Sequence, residues 1–300
     1  MIEFFQLIIN GLGLGSIYAL IALGYTMVFG ILSFINFAHS DVYMVGAFVG
    51  YYASKFLHLS DHPGPVSFLI ALIGAMAVCG LLGFTIEKLA YRPLRKAPRI
   101  NVLITAIGMS LFLEYGCQIL FGADPKYFPA LIQVGDPINY GGLQVNILQL
   151  IVLLIGLALM FGLRFIIFNT RQGLAMRAVS FNHENASLMG INVSNTISFT
   201  FVLGSSLAGA AGILVGLTYP KIDPLMGVMF GLKAFTAAVF GGIGNVTGAV
   251  VGALFMGVAE SLVVGYISST YRDALGFGIL ILILLFKPAG LFGTVRKEKV

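Results

Sequence analysis

Few residues in this chain could do chemistry, and most of those lie among apolar neighbours. The 300 residues include 12 Asp+Glu, four His and two Cys. Within long apolar runs Asn36, His39, Ser40, Asp41, Glu114, Asn245 and Glu260 stand out. An ionisable group in such a run is costly to bury and is by default a site candidate. Glu114 and Glu260 read either as proton carriers or as carboxyls held by a neighbouring helix, and His39 either as a pathway residue or as a buried histidine with one partner. Two segments, Phe29–Asp41 and Phe240–Gly248, each place Phe-Gly ahead of an Asn and a small polar residue and then enter a Gly/Ala/Val-rich run. Such breaks free backbone groups to meet a polar ligand, so Asn36, His39, Ser40, Asp41, Gly242, Gly244 and Asn245 form the candidate substrate pathway. The similarity of the two segments hints at an internal repeat.

Catalytic constellations are missing from the sequence. There is no GxxxxGK[ST] loop to grip a nucleotide phosphate, no HExxH and no Cys/His cluster at metal spacing. The Gly-x-Gly runs at 11–15 and 242–244 lie inside apolar segments rather than after a soluble strand, which disfavours a dinucleotide fold. An enzyme is not expected. Cys79 and Cys117 lie in apolar runs and read as small core residues rather than a disulfide.

The elements that must position these residues follow from composition. With 58% hydrophobic and 10% charged residues and a mean hydropathy of +0.98, the chain falls far below the roughly 25% charge of a soluble domain. An all-α, polytopic transmembrane bundle is expected instead. Candidate spans fall at 5–30, 41–57, 67–90, 101–121, 146–168, 196–218, 230–241, 247–265 and 274–287, about eight or nine in one transmembrane domain over 1–300. A perpendicular span needs about 20 residues, so 230–241 should be broken or re-entrant. Residues 1–38, interrupted by Gly11, Gly13, Gly15, Gly24 and Gly30, form one long helix or two short ones. The N-terminal run, with Glu3 and no basic cluster, is too long for a cleaved signal peptide.

The net charge of +5 has no large polar surface to occupy, which argues against a nucleic-acid partner; it sets topology instead. Lys88, Arg92, Arg95, Lys96, Arg99, Arg164, Arg171, Arg177, Lys287, Arg296, Lys297 and Lys299 should share one side, and Lys55, Lys126, Lys221, Lys233 and Arg272 fall on or near the other. By the positive-inside rule the first set, with the C-terminus, is cytoplasmic. Rows of small residues, Gly204/Ala208/Gly212/Gly216 and Gly244/Gly248/Gly252, should let helices approach closely. The inner segment 169–195 mixes charge with Met176, Val179, Leu188 and Ile191 at helical spacing. Gly190 is its expected helix stop, with Asn192 and Ser194 as caps for the next span. Such a helix suits either a partner's groove or the lipid headgroups.

Four stretches carry a family resemblance. ENASLMGI (Glu184–Ile191) resembles the loop with which permease subunits of bacterial ABC importers dock their ATPases, although Asn185 stands where the usual motif has its first alanine, as in a divergent branch. NGLGLGSIYALIALGYTMVFGILSFINFAHSD (Asn10–Asp41), KAFTAAVFGGIGNVTGAVVG (Lys233–Gly252) and FKPAGLFG (Phe286–Gly293) resemble the H-type branched-chain amino acid permeases. The resemblance implies an inner-membrane importer in which this chain forms half the pathway beside a second permease subunit, paralogous or identical. Two cytoplasmic ATPases would hydrolyse ATP, so that this chain binds no cofactor itself, and a periplasmic amino-acid-binding protein would deliver cargo. ATPase docking would fall on Met176, Glu184, Ala186, Leu188, Gly190 and Ile191. Selectivity would rest mostly in the binding protein, with a weak site or none in this chain. Other readings are a proton-coupled secondary amino-acid transporter and an ABC permease for urea or an amide.

Overall fold

The computed structural model describes residues 2–32, 34–95, 97–133, 135, 137–140 and 143–293. Ser33, Lys96, Arg296, Lys297, Lys299 and the side chain of Arg99, on which the sequence reading drew, lie outside the described residues. The helices are α1 (Ile2–Leu32), α2 (His39–Phe56), α3 (Pro65–Ile86, continued by a π-turn at Glu87–Tyr91 and a 3-10 turn at Arg92–Leu94), α4 (Arg99–Phe121), α5 (Ile147–Asn169), α6 (Arg171–Phe181), α7 (His183–Leu188), α8 (Val193–Thr218), α9 (Met226–Gly241), α10 (Val246–Tyr266) and α11 (Arg272–Phe286). Among the described residues seven helices are long and apolar enough to cross a membrane. α9, at 16 residues, is a shorter apolar helix, and α2, at 18, opens on His39, Ser40 and Asp41. Residues 2–32 form one long helix, despite their glycines.

α1 is the axis of the bundle. Residues Gly13–Val28 are buried continuously, against α10, α8, α5 and α9. Helices in lipid gain nothing from hiding apolar surface, so packing depends on close backbone approach. A Cβ placed on Gly11 would stand 2.6 Å from Val258 Cα, and one on Gly15 2.8 Å from Leu254 Cα. The sequence's small-residue rows are contact rows too. A Cβ on Gly212 would stand 2.5 Å from the Tyr43 carbonyl of α2 and one on Gly252 2.8 Å from the Gly241 nitrogen of α9; beside the first row, one on Gly209 would stand 2.6 Å from the Ala75 carbonyl of α3. α4 and α11 sit at the periphery and present Phe112, Ile119, Leu120, Leu285 and Phe286 outward.

The connectors at the N-terminal end of α1 add a little strand to the all-α expectation. β1 (Lys126–Tyr127) pairs antiparallel with β4 (Lys221–Ile222), and β2 (Ile138–Tyr140) with β3 (Leu143–Val145). Gln6 ties this end together: its Nε2 donates to the Gln144 carbonyl at 2.8 Å and its Oε1 accepts from the Gln144 N–H. At the opposite end the chain breaks between α1 and α2 and between α9 and α10. Gly242 and Gly244 take φ of +105° and +94°, a region that costs other residues a Cβ clash. The second break is sealed by residues 287–293: Leu291 and Phe292 N–H donate to the Phe240 and Gly241 carbonyls, and Asn245 Nδ2 donates to the Phe292 carbonyl at 3.0 Å.

Because the α1–α10 seam has no room for a side chain, Gly15→Leu should destabilise the folded chain by about 1–3 kcal/mol through overpacking. Gly108→Ala, whose Cβ would meet nothing within 4 Å, should be neutral or slightly stabilising. Thermal unfolding of the purified variants in one detergent checks both; equal midpoints would contradict the seam.

Candidate functional site

Three places gather functional groups: the α6–α7 pair and a cavity beside it at one end, and a smaller cavity at the other. The helical pair is shaped by its caps. Thr170 accepts from Gly173 N–H at 3.1 Å, and Asn182 accepts from Asn185 N–H at 2.9 Å, which ends α6 and starts α7 where the sequence suggested one amphipathic helix. Gly190, at φ +81°, stops α7, with Ile191 N–H bonded to the Ala186 carbonyl and Gly190 N–H to that of Ser187, a Schellman-type closure. Asn192 caps α8 through Asn195 N–H, whereas Ser194 does not cap it and takes Arg95 Nη1 at 2.8 Å.

This geometry splits the six residues grouped from sequence. Met176 and Ala186 face inward and are buried, Ile191 is half-buried, and Glu184, Leu188 and Gly190 face out. Leu188 is 85% exposed, Met189 83% and Phe181 83%, a degree of exposed apolar surface that marks an interaction site. The pair is braced from behind. His183 contacts the Ile31 carbonyl at 2.8 Å, and buried Glu87 pairs with Arg92 and Arg95 while Ser198 donates to it at 2.6 Å, joining the end of α3 to the start of α8. Burial holds the Arg95 guanidinium below its ordinary pKa, against the opposing pull of Glu87.

The neighbouring cavity, about 680 Å³, is lined by Met27, Gly30, Met176, Arg177, Gly244 and Asn245 among others. The two breaks meet on its wall, since a Cβ on Gly30 would stand 3.7 Å from Gly244 Cα. The remaining pathway candidates are elsewhere. Gly242 is buried under Gly293, 2.5 Å from its nitrogen to a built Cβ. Asn36 accepts from Tyr91 OH at 2.6 Å, and His39 packs its ring against Tyr25 with centroids 5.0 Å apart. Ser40 Oγ donates to the Phe37 carbonyl at 2.9 Å. Asp41 accepts from Ser110 and lies within hydrogen-bonding reach of Glu114. None of these four lines either cavity, so the two predicted sets do not converge on one site.

The smaller cavity, about 240 Å³, lies at the N-terminal end of α1 and includes Asn10, Gln149, Tyr219, Glu260, Ser261 and Arg272 in its lining. Glu260, 1% exposed, accepts from Tyr18 OH at 2.8 Å and pairs with Lys233 Nζ at 3.1 Å and with Arg272 Nε. Lys233 also reaches Asp273 at 2.7 Å. Lys233 is buried inside the bundle, held by two carboxylates. A signal was present: Lys233, Glu260, Arg272 and Asp273 are two cations and two anions in otherwise apolar helices, and such charges are expected to pair. Gln149 was missed because one amide in an apolar run announces nothing.

A family model described as the permease component of branched-chain amino acid transport systems matches residues 7–284. The high-affinity branched-chain amino acid transport system permease protein BraD of Pseudomonas aeruginosa is 41% identical over 99% of this chain and 98% of its own length. The permease protein LivH of the Escherichia coli high-affinity branched-chain amino acid system is 40% identical with the same coverage. A ribose import permease protein of Haemophilus influenzae is 29% identical over 40% of this chain, so part of the architecture is shared with a permease named for a different cargo.

Removing Glu260 leaves Lys233 with Asp273 alone and Arg272 without a carboxylate among the described residues. Glu260→Leu should cost about 3–5 kcal/mol, the range for breaking a buried pair, towards its low end because the Arg272 side chain is 34% exposed. Glu260→Leu combined with Lys233→Met should recover at least half of that loss. Unfolding of the purified variants reads both, and a double variant no better than the single one would deny that charge pairing is the cause.

Proposed function

This chain belongs to the family of permease components of branched-chain amino acid transport systems, and from that premise we propose that it is the transmembrane permease subunit of an ATP-driven importer of leucine-, isoleucine- or valine-like amino acids. The observation that carries the reading is the α6–α7 pair: capped at every turn, braced against α1 and α8, and presenting Leu188, Met189 and Glu184 to a partner. A capped pair with an outward apolar face is what a groove on another protein can take as an amphipathic helix.

The chain is a multi-pass membrane protein. Lys88, Arg92, Arg95, Arg164, Arg171, Arg177 and Lys287 all lie at the α6–α7 end, which the positive-inside rule puts in the cytoplasm. The C-terminus is then cytoplasmic, and nine alternating helices carry the N-terminus to the other face. The whole of 1–300 acts as one permease domain of the bacterial inner membrane. Its partners are a second permease subunit, two cytoplasmic ATPases that hydrolyse the ATP, and a periplasmic binding protein that meets the end bearing the short strands. Glu184, Leu188 and Gly190 form the docking face; Met176, Ala186 and Ile191 seat it on the bundle. Gly244 and Asn245 line the inner mouth of the pathway. Asn36, His39, Ser40 and Asp41 hold the α1–α2 break, and Gly242 lets the C-terminal segment close the other.

Coupling requires the ATPases to bind two states of the bundle with different free energies. A swing from 1:99 to 99:1 takes roughly 5.5 kcal/mol. Met189–Asn192 is the only chain between α7 and α8, so a pull on α7 reaches directly into the helix against which α2 and α3 pack. A secondary transporter would need a free carboxyl to carry its proton; of the two candidates Glu260 is engaged by three partners and Glu114 by Asp41.

Leu188→Asp and Glu184→Lys should each reduce ATPase co-purification and leucine uptake by tenfold or more while the chain still inserts and folds. Gly190→Val, which must abandon φ +81°, should do the same by unwinding the stop of α7. Pull-down from detergent-solubilised membranes, with uptake in whole cells, gives the readout. Full uptake in these variants would remove the docking face from the account.

A further inference from the structure

The cavity at the N-terminal end of α1 combines one free donor fork, one orphaned acceptor and an aliphatic wall. Arg272 spends only its Nε on Glu260; no other described residue bonds its guanidinium, and its Cζ lies 6.0 Å from the centroid of the Tyr219 ring. Held on one side by a buried carboxylate and on the other by an aromatic face, it lines the cavity with both Nη groups unbonded by any described residue. Two parallel N–H donors in a fixed plane match a carboxylate. The Oε1 of Gln149, also on the cavity lining, is buried without a partner among the described residues. An unmet buried acceptor is costly and calls for a donor. Leu7, Leu14, Val152 and Val264 supply the apolar surface.

The charges around the cavity are already balanced. Lys233 and Arg272 offset Glu260 and Asp273, so a bare anion or cation would unbalance the set, whereas a ligand carrying both signs would not. A volume of about 240 Å³ is below the roughly 300–1,000 Å³ of drug-sized sites and suits one small molecule rather than a peptide. We propose that this cavity is a docking station for the zwitterion of a single aliphatic α-amino acid, with its carboxylate on Arg272, its ammonium on Gln149 Oε1 and its side chain against Leu7, Leu14, Val152 and Val264. The proposal rests on the importer reading and places within this chain a cargo site where the family resemblance implied a weak one or none. Glu260 is a positioning residue here: it holds the guanidinium by Nε and does not touch the ligand.

The test uses the whole complex purified through this chain from its native membrane, set in lipid nanodiscs without binding protein. A leucine analogue carrying a diazirine in its side chain is photolysed in the sample, and the adducts are mapped by mass spectrometry. Labels should fall on peptides containing residues 7–14, 149–152 or 260–264. Free leucine should suppress them; leucinamide, lacking the carboxylate, and 4-methylpentanoate, lacking the ammonium, should not. Gln149→Leu and Val264→Trp, at partly exposed positions, should each cut labelling by about tenfold, the scale of one charge-assisted hydrogen bond or of a blocked cavity. Labels confined to residues 27–30 and 243–246, no labels, or labels insensitive to both variants would overturn the proposal. Leucine transport by the same complex with its binding protein separates the two claims. Transport without these labels ends this proposal and leaves the importer reading intact; labels without leucine transport keep the site and end the cargo assignment.

Discussion

An apolar helix surrounded by lipid gains nothing by hiding from it, so the position of α1 has to be secured by something other than the hydrophobic effect. Close contact supplies it. Where Gly11 and Gly15 bring the α1 backbone against Val258 and Leu254, dispersion and weak backbone contacts act at their shortest range. The same device repeats where α8 lies against α2 and α3 through Gly209 and Gly212. The remaining features depend on these seams. They leave little room for bulky side chains along the contacts, and the buried ion pairs gather towards the two ends. They also make smooth surfaces, along which one group of helices can tilt against another without unlocking interdigitated side chains.

The charged clusters at the ends answer the cost of burying ions by pairing them. At the α6–α7 end Glu87 joins Arg92, Arg95 and Ser198, so the turn after α3 and the start of α8 move as one piece. At the opposite end Glu260 and Lys233 gather Tyr18, Arg272 and Asp273, fastening α1, α9, α10 and α11. The α6–α7 pair at one end of α8 and a small polar cavity at the far side of the same bundle are thereby linked through rigid elements. That is the arrangement a nucleotide-driven permease needs if a push from the cytoplasm is to change a site near the other face.

Much of this was legible in the residues. Hydropathy located the seven long apolar helices among the described residues, and the shorter α2 and α9, to within a few residues, because lipid leaves helices little freedom to deviate from their composition. The rows Gly204/Ala208/Gly212/Gly216 and Gly244/Gly248/Gly252 named two contact faces correctly, since only small residues repeat every four positions for that purpose. That the embedded charges pair was legible, but which pairs with which was not. Lys233 finds Glu260 and Asp273 27 and 40 positions along the chain, and nothing in its neighbourhood reports that. Asn182 divides α6 from α7 by accepting a hydrogen bond from Asn185 N–H, a local choice that a helical spacing of apolar residues conceals. Asn36 and Asn245 looked like related members of one pathway because both follow Phe-Gly. In the fold one caps α10 beside a cavity and the other is buried on Tyr91, as the two breaks turn their polar groups in different directions.

The central claim is that ATP on the α6–α7 side drives amino-acid import through this chain. Its most direct test is radiolabelled leucine uptake into proteoliposomes holding the complex purified through this chain, with binding protein outside and ATP either inside or omitted. The account predicts accumulation that requires internal ATP and continues when a protonophore collapses any proton gradient. Accumulation without ATP that follows an imposed proton gradient and stops with the protonophore would contradict it.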